Sequence, residues 1–351
     1  MAAIADFRSD TLTQPHAAMR AAMAQAVVGD DVWGEDPTIR SLEEHVADLL
    51  GKQAAVFVPS GTMANQIGIH VHCRPGDELI CEERSHVFYY EGGAIARLSG
   101  TQVRSLPARD GFPTAAQITA AVRVDDPHYP RSRLLVLENT HNMAGGRVAD
   151  AGRIAALADA ARSEGMLVHV DGARLMNAAV ALGCPPADLV AAADSTTLCL
   201  SKGLGAPVGS LLAGDAEFIH EARRARKAFG GGMRQAGVLA AAGLLAIHEG
   251  PGLLAVDHQR AKRLATGLAE LDWTRHGDVG GVAVDLEATE SNIVMLNLAA
   301  EHVAPLLSAL AQDGVQASGA GGGRIRFVLH RDLDDASVTR CLASCRKFLA
   351  S

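Results

Sequence analysis

From Ala54 to Ala213 the chain repeats one pattern: a short apolar run, a break, then a stretch with helical periodicity. The apolar runs fall at Ala54–Pro59, Glu78–Cys81, Gln102–Leu106, Arg133–Glu138, Met166–Val170, Thr196–Leu200 and Ser210–Ala213. Several are continuous rather than alternating, which marks strands buried on both faces. Strands alternating with helices, notably Ala149–Glu164, over about 160 residues require a largely parallel sheet with helices on both sides. At 351 residues the chain can bury a large core, and 48% hydrophobic against 21% charged residues fits a compact protein. Only 4% of residues are aromatic, so small side chains must bring the helices close to one another.

Flanking segments complete an α/β plan. Pro37 to Gly51 reads as a helix, with Ile39, Leu42, Val46, Leu49 and Leu50 on one face, Pro37 in the first turn and Gly51 closing it. The first dozen residues read as an arm. After Gly230-Gly231-Gly232 an Ala- and Leu-rich helix runs from Gln235 to Glu249, and Pro251 opens a second that reaches about Leu271. Strands near Asn292–Leu298 and Gly323–Leu329, with helices near Ala304–Gln312 and Asp335–Leu349, form a small α+β unit. The expected division is an arm and large domain over 1–250 and a small domain over 251–351.

Formal charge is −8 and pI ≈ 5.9, without the dense basic patch that nucleic acid requires. The cluster Arg223-Arg224-Ala225-Arg226-Lys227 reads as a solvated or subunit-facing helix surface. Six scattered cysteines lack metal-ligand spacing, so they read as reduced core thiols and no metal site is expected. No leader and no apolar stretch near the roughly 20 residues of a membrane span is read. The expectation is a soluble cytoplasmic protein with no membrane or nucleic-acid partner.

The chemistry gathers where strands run out. Lys202 follows the run Ser195–Ser201 and precedes Gly203-Leu204-Gly205-Ala206-Pro207; Asp171 follows Met166–Val170 and precedes Gly172-Ala173-Arg174. Ligands of open α/β sheets bind in that crevice. An amine able to form a Schiff base, with a carboxylate for a pyridinium nitrogen, is the pair that pyridoxal phosphate needs. Taken singly, Asp171 could cap the helix after Gly172, and Arg174 could form a surface ion pair. Ser60-Gly61-Thr62 stands between a strand and a helix, where free N–H groups suit a phosphate and Thr62 could equally be an N-cap. His86 and His141 both follow strands of the same sheet. Gly203-Leu204-Gly205 lacks the spacing of a dinucleotide fingerprint.

Ordered segments through most of the chain resemble the L-threonine aldolases, members of the fold-type I (aspartate aminotransferase-like) pyridoxal-phosphate enzymes. They are Arg8–Thr11, Gly29–Thr38, Pro59–Gln66, Glu138–Asn142, Asp171–Leu175, Ser201–Gly209, Gly231–Gln235 and Arg324–Phe327. The resemblance implies a mostly parallel large domain, a small C-terminal domain and a homotetramer with active sites at dimer interfaces. Lys202 would hold the cofactor, Asp171 its ring nitrogen, His86 its ring face, and Ser60, Gly61 and Thr62 its phosphate. Arg234 would reach that phosphate from a neighbouring subunit. Ser9, Arg174 and Arg326 would grip the substrate carboxylate, and His141, His86 or Glu91 would handle the hydroxyl proton. Trp33 stands where the family usually has tyrosine; indole keeps an aromatic wall and one donor but accepts no proton. The implied reaction cleaves L-threonine, L-allo-threonine and other small β-hydroxy-α-amino acids to glycine and an aldehyde. β-Elimination, transamination and hydroxymethyl transfer are the alternatives on one scaffold, and a non-catalytic cofactor-binding regulator is the alternative of another class.

Overall fold

The computed structural model describes residues 4–276 and 282–350. In chain order the strands are β1 (Ala5–Asp6), β2 (Ala54–Val58), β3 (Glu78–Glu82), β4 (Gln102–Leu106), β5 (Ser132–Glu138), β6 (Leu167–Asp171), β7 (Ser195–Cys199), β8 (Ser210–Gly214), β9 (Ile293–Asn297), β10 (Val315–Gln316), β11 (Ser318–Gly319) and β12 (Arg324–Val328). Seven of them form the central sheet in the order β2-β8-β7-β6-β5-β3-β4. Pairs among β4, β3, β5, β6 and β7 are parallel, while β8 runs antiparallel to both β7 and β2. β8 is thus the one reversed strand, and β2, β3, β5, β6 and β7 share one carboxyl edge. Val56, Ile80, Leu135, Val168 and Leu198 lie at 0–1% exposure, as continuous apolar runs require.

Two of the helices that cover the sheet are started by local chemistry. Asp36 accepts from Thr38 N–H and Ile39 N–H at the start of Pro37–Leu49, and Asp150 accepts from Arg153 N–H at the start of Ala151–Ser163. The three-stranded sheet β11-β12-β9 and the helices Ala300–Gln312 and Asp335–Leu349 build a second core. The N-terminal arm belongs to that core: β1 pairs with β10, and Phe7 packs edge-on against Phe327. An apparently featureless arm is held by tertiary pairing.

Two helices were expected on either side of Gly250, and the structure has one, Gly237–Ala269, with Pro251 inside it. An interior proline costs about 3 kcal/mol. Ala240, Ala246 and Leu254 join the large core, and Ala261, Leu264 and Leu268 the second, so burial at both ends outweighs that cost. Continuity also overturns the expectation about apolar length: an 18-residue window of this helix has mean hydropathy 1.5 and would suffice to cross a membrane by length and composition. Here the helix joins the two cores.

The basic cluster also differs from expectation. Arg226 pairs with buried Asp31 at 2.9 Å and donates to Phe57 O at 2.8 Å, while Arg223 donates to Glu43. Two of its arginines therefore face inward, drawn by carboxylates distant in sequence.

Asp257, in the long helix, is fully buried, and neither carboxylate oxygen has a hydrogen-bond partner among the described residues. Burial pushes its pKa up to about 7, against the pull of Arg260 and Arg331. A folded-state pKa above the unfolded one gives stability that is complete below about pH 4 and is lost as pH rises through about 7. Asp257→Asn should therefore raise Tm at pH 8 by about 2 °C or more and change it little at pH 4, by calorimetry at both pH values.

Candidate active site

The carboxyl edge of the sheet brings β5, β6 and β7 to a common rim, with loops from β2 and β3 on either side. Asp171 ends β6 at 1% exposure. Its Oδ2 accepts from Asn65 Nδ2 at 2.8 Å, and its Oδ1 accepts from Ala173 N–H at 3.0 Å and Thr197 Oγ1 at 3.4 Å. Burial raises its pKa, but His86, Lys202 and the Ala173 N–H outweigh that and leave it below the usual carboxylate range. Asp171 caps no helix: Leu175–Leu182 starts at Arg174 without a side-chain cap. Lys202 stands beyond β7 on a loop closed by Gly205 N–H to Lys202 O at 2.8 Å, and Thr13 Oγ1 donates to the same carbonyl at 2.9 Å. Its charge lowers the pKa of both Asp171 and Asp10.

His86 begins the short helix His86–Tyr89 after β3. Its Nδ1 lies 2.8 Å from Glu91 Oε1, and its ring centroid is 5.7 Å from that of Tyr90. Burial lowers its pKa, but Glu91, Asp171 and Glu138 together hold it above the ordinary histidine value. Glu91 is buried and also accepts from Asn65 Nδ2 at 2.9 Å and Gln66 Nε2 at 2.6 Å. Ligand-type atoms of His86, Glu91 and Asp171 lie within 4.8 Å of one another. The Asn65 amide donates to both of these carboxylates.

On the other flank, Ser60 caps the helix Gly61–His72 by accepting from Met63 N–H at 3.2 Å. The cap is Ser60 rather than Thr62, because the helix already begins at Gly61 and Thr62 lies within its first turn. A Cβ on Gly61 would lie 2.6 Å from Cys199 Sγ, so only glycine lets this helix start sit against β7. That cap takes the Met63 N–H, and the Gly61 and Thr62 N–H groups at the helix start are the ones an anion can use.

Arg174 is no surface pair: Nε and Nη2 donate to Asp10 Oδ2 and Oδ1, both at 2.7 Å, with Asp10 fully buried. Burial is overcome by Arg174 and Lys202, and the Asp10 carboxyl is held well below its ordinary range. Arg326, on β12, donates from Nη1 to Asn142 Oδ1 at 2.7 Å and from Nη2 to Arg8 O at 3.2 Å. Its Nε is buried with no partner among the described residues. Desolvation and then the neighbouring Arg174 push the Arg326 pKa down. Two guanidiniums that repel each other, one with an unmet buried donor, make a site for a carboxylate.

Of the other expected residues, His141 and Ser9 adjoin this group, His141 beside Glu138 and Ser9 between Arg8 and Asp10, while Trp33 and Arg234 lie at the surface. His141 is fully buried, its Nε2 3.1 Å from Glu82 Oε2 and 3.9 Å from Glu138 Oε2; burial lowers its pKa, but Glu138 and Glu82 raise it further. Ser9 Oγ accepts from Thr11 N–H at 3.2 Å and Thr11 Oγ1 at 2.8 Å. Trp33 is 76% exposed, and Arg234 pairs with Asp30 at 3.0 Å on the surface. Asp10, Asn65, Glu138 and Asn142 were not singled out from sequence for a role; of these only Glu138, a carboxylate ending the apolar run of β5, stands where a strand end could have marked it.

Pyridoxal phosphate suits this donor set: an amine and a buried carboxylate across one rim, a helix start for its phosphate, and Arg326 Nε awaiting an anion. The beta-eliminating lyase family model matches residues 6–299. A low-specificity L-threonine aldolase 1 of Arabidopsis thaliana is 43% identical over 95% of this chain and 93% of its own. The low specificity L-threonine aldolase of Escherichia coli is 38% identical over 98% and 99%. The structure of the Leishmania major threonine aldolase matches with TM-score 0.81 over 99% of both chains at 20% identity, which shows the shared fold. This chain belongs to the beta-eliminating lyase family, among its pyridoxal-phosphate-dependent threonine aldolases.

Proposed function

We propose that the chain cleaves L-threonine, L-allo-threonine and related β-hydroxy-α-amino acids to glycine and the matching aldehyde. The observation that carries this reading is the Arg174–Arg326 pair, with Arg326 Nε buried and unmet, on the same rim as Lys202 and Asp171. Such a site takes an α-amino acid by its carboxylate.

When bound, pyridoxal phosphate supplies the electron sink that a broken bond at Cα requires. Lys202 would hold its aldehyde carbon, Asp171 would keep its ring nitrogen protonated, and Ser60, Gly61 and Thr62 would present N–H groups to its phosphate. Asn65 keeps Asp171 oriented by donating to it and, through the same nitrogen, to Glu91. Arg326 and Arg174 fix the carboxylate, which limits the bonds at Cα that can react. His86 is the group for the β-hydroxyl proton: Glu91 holds Nδ1, leaving Nε2 to accept. Glu91 acts through His86. His141 stays inside, against Glu82.

Trp33 and Arg234 lie on the outer surface, with Val27 and Val28 exposed nearby in sequence. This supports a homotetramer in which they complete a neighbouring subunit's site. Five of the six free cysteines are buried, which supports a reducing, cytoplasmic setting.

Purified protein given L-threonine, alcohol dehydrogenase and NADH should consume NADH and release glycine; release of a keto acid alone would assign β-elimination or transamination instead. Lys202→Ala should abolish turnover and the visible absorbance of the holoprotein. Asp171→Ala should lower kcat about 100- to 1000-fold. Because neutral His86 is the acceptor, kcat/KM should rise with pH through a value above that of an ordinary histidine. Glu91→Gln should move this limb to lower pH, and a limb that stays in place would remove His86 from the proton role. Gly61→Ala should weaken cofactor retention on dialysis and cost about 1–3 kcal/mol of stability by urea unfolding.

A further inference from the structure

Glu138 ends β5, a central strand paired with β3 on one side and β6 on the other, and it is 4% exposed. Its Oε2 accepts from His86 N–H at 2.7 Å, and its Oε1 accepts from Asn142 N–H at 2.9 Å. Asn142 Oδ1 in turn accepts from Arg326 Nη1 at 2.7 Å. One carboxylate thus anchors two loops, and each loop ends on a different arm of the site.

We propose that Glu138 is a positioning residue that ties the ring-facing histidine to the carboxylate grip, so that His86 and Arg326 are set in one common register. Both anchored groups are backbone donors, and an ionised carboxylate offers each an acceptor oxygen. A glutamine there has one acceptor oxygen and one NH2, so it can keep only one arm and must turn a donor toward the other. The anchor itself is rigid, since the strand is paired on both sides. Its negative charge also acts on both histidines: Glu138 is among the groups that raise the His86 and His141 pKa values. The inference rests on Arg326 gripping the substrate carboxylate, and the experiment below separates the two.

In holoenzyme, Glu138→Gln should raise KM for L-threonine about tenfold or more, from the loss of a charge-assisted anchor. It should also lower the His86 pKa read by NMR. Asn142→Ala cuts only the arm to Arg326; it should raise KM similarly and leave the His86 titration in place. The double variant should be no worse in KM than Glu138→Gln alone, because both changes break one path. Independent, multiplying effects would overturn the proposal. So would an unchanged KM in Asn142→Ala while Arg326→Ala raises it, and that comparison remains decisive if Glu138→Gln does not fold. An unchanged KM in Arg326→Ala would instead refute the carboxylate reading itself.

Discussion

The rest of the site depends on one unfavourable arrangement: several carboxylates held inside the protein at the carboxyl edge of a parallel sheet. Asp171, Glu91, Glu138 and Asp10 are all buried. Removing a charge from water costs several kcal/mol unless it is paired and hydrogen-bonded. Each is met differently. Asp10 takes a bidentate guanidinium, Asp171 an amide and a backbone N–H, Glu91 two amides and an imidazole, and Glu138 two backbone N–H groups. The donors come from four separate segments of the chain, at 65–66, 86, 142 and 173–174. Meeting the charges therefore locks those segments together, and the precision of the site is a by-product of satisfying buried anions.

This arrangement also distributes roles. Asp171 is kept ionised by positive neighbours although burial opposes it, which is what a partner for a protonated ring nitrogen must be. His86 is moved the other way, toward holding its proton, by Glu91, Asp171 and Glu138. A carboxylate made less basic and an imidazole made more basic sit within one hydrogen-bonded group, and the environment sets both. Arg326 carries the complementary tension, a cation beside a cation with an unmet donor. A substrate carboxylate would relieve it, so binding energy is aimed at a group that every α-amino acid carries whatever its side chain. Little in that grip depends on the β-substituent, in keeping with relatives described as low in specificity.

The long helix has a comparable position in the architecture. Gly237–Ala269 contributes to both cores and carries Pro251 within it. It joins the sheet that holds Lys202 and Asp171 to the unit that holds Arg326. The relation between the cofactor rim and the carboxylate grip therefore passes through a continuous rod as well as through the Glu138 anchor.

Most of the strands and helices were legible in the sequence, because buried parallel strands are continuous apolar runs and their helices carry caps such as Asp36 and Asp150. Lys202, Asp171, Gly61 and Arg174 were legible for the same reason: they stand where those runs stop. Three-dimensional packing decided what local pattern cannot express. Pro251 reads as a helix start because sequence shows its missing N–H but not the two cores that hold the helix straight. Arg223 and Arg226 read as solvated because Glu43 and Asp31 are far away along the chain. His141 follows a strand as His86 does, yet one faces the rim and the other lies beneath it. Strand ends determine which residues reach an edge; only the folded loops determine which way each one turns, since that direction is set by hydrogen-bond partners that the chain brings from elsewhere.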